Sequence, residues 1–556
     1  MKYISRITVA LILTASCFSA NAQARSTKES IARNLDIFTS VYKTLQSTYV
    51  DSINLDKSMR TAIDAMLNDI DPYTEYFPED NREELTSISS GDFGGIGAYI
   101  RQNRQGNTVV TLPQPGTPAA KAGLKAGDIF VTVDSDTVLT IGSDKVREKL
   151  RGPAGTSLNV TVRRPYTDDS IKSFTLTRAK IDINPVPYAG MVNDSIGYIQ
   201  LTTYNAKTVS TVADSLRSLM KSGNLKGLIL DLRSNGGGLM DSAVDIVGLF
   251  VPKGTEVLRT RGRNGQDEKI YKTSNRPIAT DLPLAVMIDG GSASSSEITA
   301  GALQDLDRAV IIGQRSYGKG LVQSSRLIPY NGLLKVTVAK YYIPSGRLIQ
   351  AIDYSHRNPD GSVARIPDSL TNVFHTRLGR PVRDGGGITP DIEIPYPDAN
   401  RLTYNIVRDQ WDFDFSTRYA AEHDSLPEPR LFEVTDEIYS QFKKSIDPDK
   451  FEYDKLCELI IDQLEEAAKT EGYLSDEVTS RIAALREVLK HDLDRDLDTQ
   501  RSRVSDYLAV ELIDRFYPGQ SMAYTVRHDP EIARAAAILA SPDSLSRILS
   551  APQPSK

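Results

Sequence analysis

The sequence predicts a multidomain α/β protein: a small β-rich domain precedes a core of alternating strands and helices, with a helical segment before both and a helical extension after them. Three observations carry this reading. Residues 28–70 and those beyond about 400 repeat apolar side chains at steps of three and four, the helical period. Residues 85–180 open on a Gly-rich break and hold short strand-like runs separated by turns. From Ser195 onward strands and helices alternate, which implies a mostly parallel sheet with helices packed on it.

The elements follow in order. Lys2 and Arg6, the apolar run Val9–Ala15 and the small residues Ala20, Ala22 and Ala24 read as a secretory signal over 1–24. The expected location is therefore outside the cytoplasm, in the periplasm. Cys17 suits a lipid anchor less well, because the aliphatic residue usual three positions before such a cysteine is missing. Ile31, Leu35, Phe38, Val41, Tyr42 and Leu45 mark a helical segment within 25–84, and Asp71-Pro72 ends its second helix, since a residue before proline leaves the α region. Strands are expected at Thr108–Leu112, Ile129–Val133, Leu158–Val162 and Ser173–Leu176, with a helix at Ser143–Leu150. In the core, 181–399, strands are expected at Ile196–Leu201, Gly227–Leu232, Leu284–Ile288, Ala309–Ile312 and Leu333–Tyr342. Helices are expected at Thr208–Lys221, Asp241–Phe250 and Ser296–Leu306. Residues 351–387 read as a long polar loop or insertion. In the helical extension, 400–556, Leu456, Leu459, Ile460, Leu464 and Ala467 form one apolar stripe, and Leu485, Val488 and Leu489 begin another.

Composition narrows the function. The 556 residues suffice for about three or four domains of roughly 150 residues. A net charge of −6 argues against a nucleic-acid partner, which needs a basic groove. No segment outside the signal approaches the run of about 18 apolar residues that a membrane span needs. Cys17 and Cys457 alone exclude a disulfide framework and a cysteine-based metal site, and no cofactor or metal is expected. All five histidines lie at or beyond His356, so any histidine-dependent chemistry must reach into the last part of the chain.

Several motifs have bland readings. Gly313 to Lys319 mimics a phosphate loop but continues with Gly320, where a magnesium-binding Ser or Thr should stand. Asp492, Asp494, Asp496 and Asp498 alternate like a calcium loop without its Gly and final Glu, and read as a solvated helix face. Cys457 reads as a core residue. Gly94-Gly95-Ile96-Gly97 reads as a loop leading into the strand edge Ala98–Ile100, where an extended peptide could add and its terminal carboxylate meet backbone N–H groups.

The chemically informative stretch is Asp289-Gly-Gly-Ser-Ala-Ser-Ser-Ser-Glu297, joining a buried strand to a helix. A serine at such a turn is exposed, and the N–H groups of the helix start can hold an oxyanion. Ser294-x-x-Glu297 is also a capping box, and several serines leave the nucleophile open. With no histidine ahead of position 356, a lysine is the available base, provided burial in a cation-poor site lowers its pKa from about 10.4. Lys319, flanked by Gly318 and Gly320, is the candidate, and Gln323, four positions on, shares a face with it.

Together these residues resemble the carboxyl-terminal-processing (tail-specific) serine peptidases, exported proteases with a PDZ domain embedded ahead of a Ser–Lys core. The resemblance runs through most of residues 60–395. It rests on Asp71-Pro-Tyr-Thr-Glu-Tyr-Phe77, Phe93-Gly-Gly-Ile-Gly97, Ala122-Gly-Leu-Lys-Ala-Gly-Asp128 and Leu150-Arg-Gly-Pro-Ala-Gly-Thr156. It continues in Asp231-Leu-Arg-Ser-Asn-Gly-Gly-Gly238, Ser292 to Glu297, Tyr317-Gly-Lys-Gly320 with Gln323, and Gly387-Ile-Thr-Pro-Asp391.

The resemblance implies a PDZ domain at 85–180 and a crotonase/ClpP-like peptidase core. It implies Ser294 as nucleophile, Lys319 as base and Gln323 as its positioning partner. The oxyanion hole would be the N–H groups of Ser295 and one residue of Gly236–Gly238, with Gly237 expected. Gly94, Gly95, Ile96 and Gly97 would receive the substrate's C-terminus. Expected partners are protein substrates with free C-terminal tails. A homodimer through residues 28–70 and the C-terminal helices fits the stripes as well as intramolecular packing does, and an adaptor protein that delivers substrate is compatible. The rival readings are a non-catalytic exported PDZ scaffold and a ligand-binding relative of the same core.

Overall fold

The computed structural model describes residues 28–79, 90–167, 170–221, 223–358, 362–396, 400–453 and 456–550. The signal segment and Cys17 lie outside the described residues. The chain divides into two units, one of residues up to Glu79 with Ser324–Val336, the other holding the rest.

In the first unit, helices span 28–48 and Leu55–Asn68. Asn54 caps the second, its Oδ1 accepting from Lys57 N–H at 2.9 Å. Past the helix end, Asp71 Oδ1 accepts from the N–H groups of Tyr73 (2.8 Å) and Thr74 (2.7 Å), so an Asx turn replaces helical pairing ahead of strand Glu75–Phe77. That strand pairs antiparallel with residues 333–335. The periodic residues Ile31, Leu35, Phe38, Val41 and Leu45 are exposed.

The second unit begins with a β-rich domain. Its sheet has the order Ala98–Gln102, Thr108–Pro113, Ile129–Val133, Ser157–Arg163, Ile171–Thr177, all antiparallel, with Asp136–Thr137 beside Ile129–Val133. Helix Ser143–Leu150 buries Val146 and Leu150 in a core with Phe130, Leu158 and Val160. Ala98–Gln102 is an edge strand, paired on one side among the described residues. Gly94 and Gly95 correct the loop expected there. They lie in strand Asp92–Gly95, paired with Ala179–Asp182, and a Cβ on Gly94 would stand 2.1 Å from the Gly152 carbonyl oxygen. Ile96 is a core residue, and Gly97 (φ 74°) turns the chain into the edge strand.

The central sheet has the order Tyr188–Met191, Ile196–Gln200, Gly227–Asp231, Leu284–Ile288, Val310–Gly313, Ile392–Glu393, parallel after the first pair. Its strands are apolar on both faces because both are covered. Leu228, Leu230, Val286 and Ile311 face helices Thr208–Lys221, Met240–Val247 and Ser295–Asp305. Tyr198, Ile229, Met287 and Ile312 face Val526, Ile532, Ala535 and Leu539. The second covering layer thus comes from helix Pro530–Leu539, late in the stretch that sequence places after the core.

The helical extension has its own core around Trp411, Phe415, Phe442, Leu508 and Leu512. It also holds the β-rich domain: Arg101 and Arg104 lie over the rings of Phe413 (4.3 Å) and Trp411 (3.8 Å), and Arg104 pairs with Asp414 at 2.6 Å. Two expectations here are corrected. Residues 351–387 contain hairpins Ile352–Arg357 with Val363–Arg365 and Val373–His375 with Pro381–Arg383. Cys457 is exposed, as are Leu456, Leu459, Ile460 and Leu464 on helix Leu456–Thr470, which buries Ile461 instead. Asp492 caps helix Leu493–Thr499 through Arg495 N–H at 3.0 Å.

Candidate active site

Gly227–Asp231, Leu284–Ile288 and Val310–Gly313 are adjacent and parallel, so the loops leaving their C-terminal ends emerge side by side. The first loop carries Gly237, the second Ser294 and the third Lys319, which brings together three residues expected from sequence.

Ser294 precedes helix Ser295–Asp305, every residue of which is buried. Its backbone, φ 56° and ψ −114°, is a region that L-residues rarely adopt, and it leaves the side chain half-buried at the turn. Gly237 packs beneath it at φ 97°. A Cβ there would lie 2.8 Å from both the Ala293 carbonyl oxygen and Ser294 Cβ, and 2.9 Å from Ser295 N. The first N–H groups of the helix have no intrahelical acceptor, which places Ser295 N–H at an anion-stabilising position.

Gly237 N–H, the other expected oxyanion donor, donates to Asn235 Oδ1 at 2.9 Å. Asn235 is fully buried; its Nδ2 donates to the Leu201 carbonyl (2.7 Å), and its own carbonyl accepts from Ala293 N–H (3.0 Å) and Ser296 Oγ (2.8 Å). It fixes the first loop against the second. Asp289 does the same farther out, accepting from Ser234 N–H at 2.8 Å and from Ser292 N–H at 3.0 Å.

Glu297 joins the second loop to the third. Its Oε2 accepts from the N–H groups of Ser294 and Lys319, and its Oε1 accepts from Gly318 N–H (2.7 Å) and Ser316 Oγ (2.5 Å). Burial pushes this carboxyl up to about 7, against those four hydrogen bonds, which pull it down. Tyr341 adds a second link, its hydroxyl donating to the Lys319 carbonyl at 2.5 Å and lying 3.3 Å from that of Ser294. The glycines beside Lys319 pack tightly: a Cβ on Gly318 would meet Ala351 Cβ at 2.3 Å, and one on Gly320 would meet Gln350 N at 2.9 Å. Lys319 itself is half-buried. The N–H groups of this loop turn into the protein, to Ile288, Ile388, Ser292 and Glu297, which is not how a phosphate cradle is built.

Gln323 lies on strand Leu321–Leu327, and its Nε2 donates to Thr337 Oγ1 at 3.1 Å. Four of the five histidines bond elsewhere: His356 to Asp353, His423 to the Tyr419 carbonyl, His491 to Asp496 and His528 to Glu433.

Comparison with known proteins bears on this arrangement. Residues 195–394 match peptidase family S41, residues 109–164 match the PDZ domain, and residues 402–539 match the C-terminal helical domain of a probable PDZ-protease. A carboxy-terminal-processing protease of Bartonella bacilliformis is 36% identical over 349 residues, covering 62% of this chain and 78% of that protein. The chain belongs to the carboxy-terminal-processing serine proteases of peptidase family S41. A probable CtpA-like serine protease of Staphylococcus haemolyticus is 31% identical over 408 residues, covering 72% of this chain and 79% of its own. Among solved structures, a photosystem II D1 C-terminal processing protease shares 27% identity over 64% of this chain and 92% of its own, with a TM-score of 0.34.

The peptidase is thus a serine-type hydrolase with a PDZ domain, and its substrates are proteins. Among the described residues no helix is long and apolar enough to cross a membrane. Sequence reasoning named Glu297 only as a helix cap and missed Asn235, Asp289 and Tyr341. The signal for Asn235 and Asp289 was present, since each opens a Gly-rich turn after a buried strand.

Proposed function

We propose that this peptidase is exported to the periplasm and cleaves proteins at or near their C-terminal tails, with Ser294 as nucleophile and Lys319 as general base. The observation that carries the reading is that one buried carboxylate, Glu297, holds the backbone of both residues. Neutral Lys319 takes the proton of Ser294 Oγ as that oxygen attacks the scissile carbonyl. The resulting oxyanion is held by Ser295 N–H and by a donor of the Gly236–Gly238 turn. Gly237 serves there once its N–H leaves Asn235. Protonated Lys319 then passes its proton to the leaving amine, and water, activated by the same lysine, hydrolyses the acyl-enzyme. Gln323 has its amide nitrogen engaged by Thr337, so its carbonyl oxygen is the atom that steers the Lys319 amine.

The PDZ domain selects the substrate. An extended tail adds to the edge of Ala98–Gln102 that is unpaired among the described residues, and ends where Gly97 turns the chain into that strand. Export rests on the 1–24 signal. The exposed stripes of the N-terminal helix and of Leu456–Thr470 are the surfaces on which a homodimer or an adaptor would sit. The test is incubation of the mature protein with a peptide-tailed substrate, comparing wild type, Ser294→Ala and Lys319→Ala. Cleavage by wild type alone supports the assignment, and equal cleavage by all three overturns it.

A further inference from the structure

The three loops of the site are tied pairwise by carboxylates. Asp289 joins the Gly237 loop to the Ser294 loop, and Glu297 joins the Ser294 loop to the Lys319 loop. The remaining pair, the Gly237 and Lys319 loops, is joined by neither. That third tie comes from the far end of the chain. Asp529 caps helix Pro530–Leu539, its Oδ1 accepting from the N–H groups of Glu531 (2.7 Å) and Ile532 (3.2 Å), which fixes Glu531 on the first turn. Glu531 Oε2 accepts from Arg233 at 3.1 Å, and its Oε1 accepts from Gln314 Nε2 at 3.2 Å.

Both partners are loop stems. Arg233 is the second residue past strand Gly227–Asp231 and begins the turn to Gly237; Gln314 is the first past Val310–Gly313 and begins the turn to Lys319. Gln314 is 6% exposed, and the Glu531 side chain is 17% exposed, so this contact is shielded from water rather than a loose surface pair. Arg233 is held from both sides, its guanidinium bonded to Asp231 at 2.7 Å and to Asp529 at 2.8 Å, while Asp231 accepts from the Tyr198 hydroxyl at 2.7 Å. Acidic groups on three sides leave Arg233 little freedom to swing without breaking charge-assisted hydrogen bonds.

We propose that Glu531, contributed by the C-terminal helical domain, is a positioning residue for peptide hydrolysis: it holds the Gly237 loop and the Lys319 loop at a fixed separation across Ser294. The proposal rests on the assignment of those loops to the reaction. It makes the C-terminal domain part of the catalytic apparatus rather than an appended module. Small errors in loop placement are costly, because misplacement by about 1 Å can lower a rate on the order of 100-fold.

The test uses the full-length mature chain carrying Glu531→Ala, Glu531→Gln, Gln314→Ala and the double change Gln314→Ala/Glu531→Ala. Concentrations are normalised by active-site titration with a fluorophosphonate, and kcat and KM are measured separately on a tailed substrate. The expected result is a kcat lowered about tenfold or more in Glu531→Ala with KM within about twofold. The double variant should be no worse than the worse single, since both cut one link. Wild-type kcat in folded Glu531→Ala overturns the proposal and leaves the dyad standing. If Glu531→Ala does not fold, Gln314→Ala decides alone, because it keeps the Arg233 pairing: a lowered kcat supports the tie and an unchanged one overturns it. Ser294→Ala is carried in parallel; activity in that variant would sink the dyad assignment instead.

Discussion

Ser294 and Lys319 donate their backbone N–H groups to the same oxygen, Glu297 Oε2, each at 2.9 Å. Two residues 25 positions apart, on loops from different strands, are thereby held to one atom. The separation of their backbones is set by this shared carboxylate.

Glu297 makes stability depend on pH. Its carboxyl is raised from 4.5 to about 7, so its contribution to stability is fully present below about 4.5 and is lost as pH rises through 7. In urea unfolding from pH 5 to pH 8, wild type should lose roughly 3 kcal/mol relative to Glu297→Gln. Asp412, also raised to about 7, is common to both proteins and cancels in the difference. Parallel pH profiles would contradict the assignment.

The Ser294 backbone should be strained in a way that glycine relieves. At φ 56°, ψ −114°, Ser294→Gly and Ser294→Ala are both expected to be inactive, with the glycine variant more stable by about 1 kcal/mol. Calorimetry on the two variants checks this; an alanine variant as stable as the glycine one refutes it.

Gly237 admits no side chain. A Cβ at 2.8 Å from Ser294 Cβ must push the loop away from the serine. Gly237→Ala should therefore lower kcat/KM on the order of 100-fold or more, as loss of an oxyanion donor does. Activity within twofold of wild type would show that the turn does not serve the oxyanion.

Two isoleucines, each on a helix, should behave oppositely. Ile532 is fully buried under the central sheet, and Ile532→Ala should cost about 2–5 kcal/mol. Ile31 is 54% exposed, and Ile31→Ala should change stability by less than about 0.5 kcal/mol. Denaturant unfolding of both variants distinguishes them.

The difference between those two residues also marks how far the sequence was legible. Periodicity located helices and strands well, with Thr208–Lys221, Leu284–Ile288 and Ser143–Leu150 falling where expected. Periodicity reports that a face is apolar, not what covers it. The stripe at Leu456 to Leu464 therefore fitted a core and a dimer face equally and is exposed, and Cys457, read as a core residue, is exposed with it. The hairpins within 351–387 escaped because short, polar, two-stranded elements carry little alternation. Gly94 and Gly95 misled for a similar reason: glycine marks close backbone approach, and a strand against Gly152 needs that as much as a loop does. At the site, the turns that carry Gly237, Ser294 and Lys319 were legible because glycine and serine punctuate strand ends, while the choice of those three residues within them came from the resemblance. Glu531 was not, since nothing in a local window ties a carboxylate on one helix to a loop some three hundred residues earlier.

Helix Pro530–Leu539 has a temporal consequence. A chain made from its N-terminus completes every strand of the central sheet before the residues that cover the face of Tyr198, Ile229, Met287 and Ile312 exist. Until they arrive, that face is bare to water or to whatever accompanies the nascent chain. The sheet is finished only once residues 522–539 are made, so its assembly is ordered by the chain's own direction of growth.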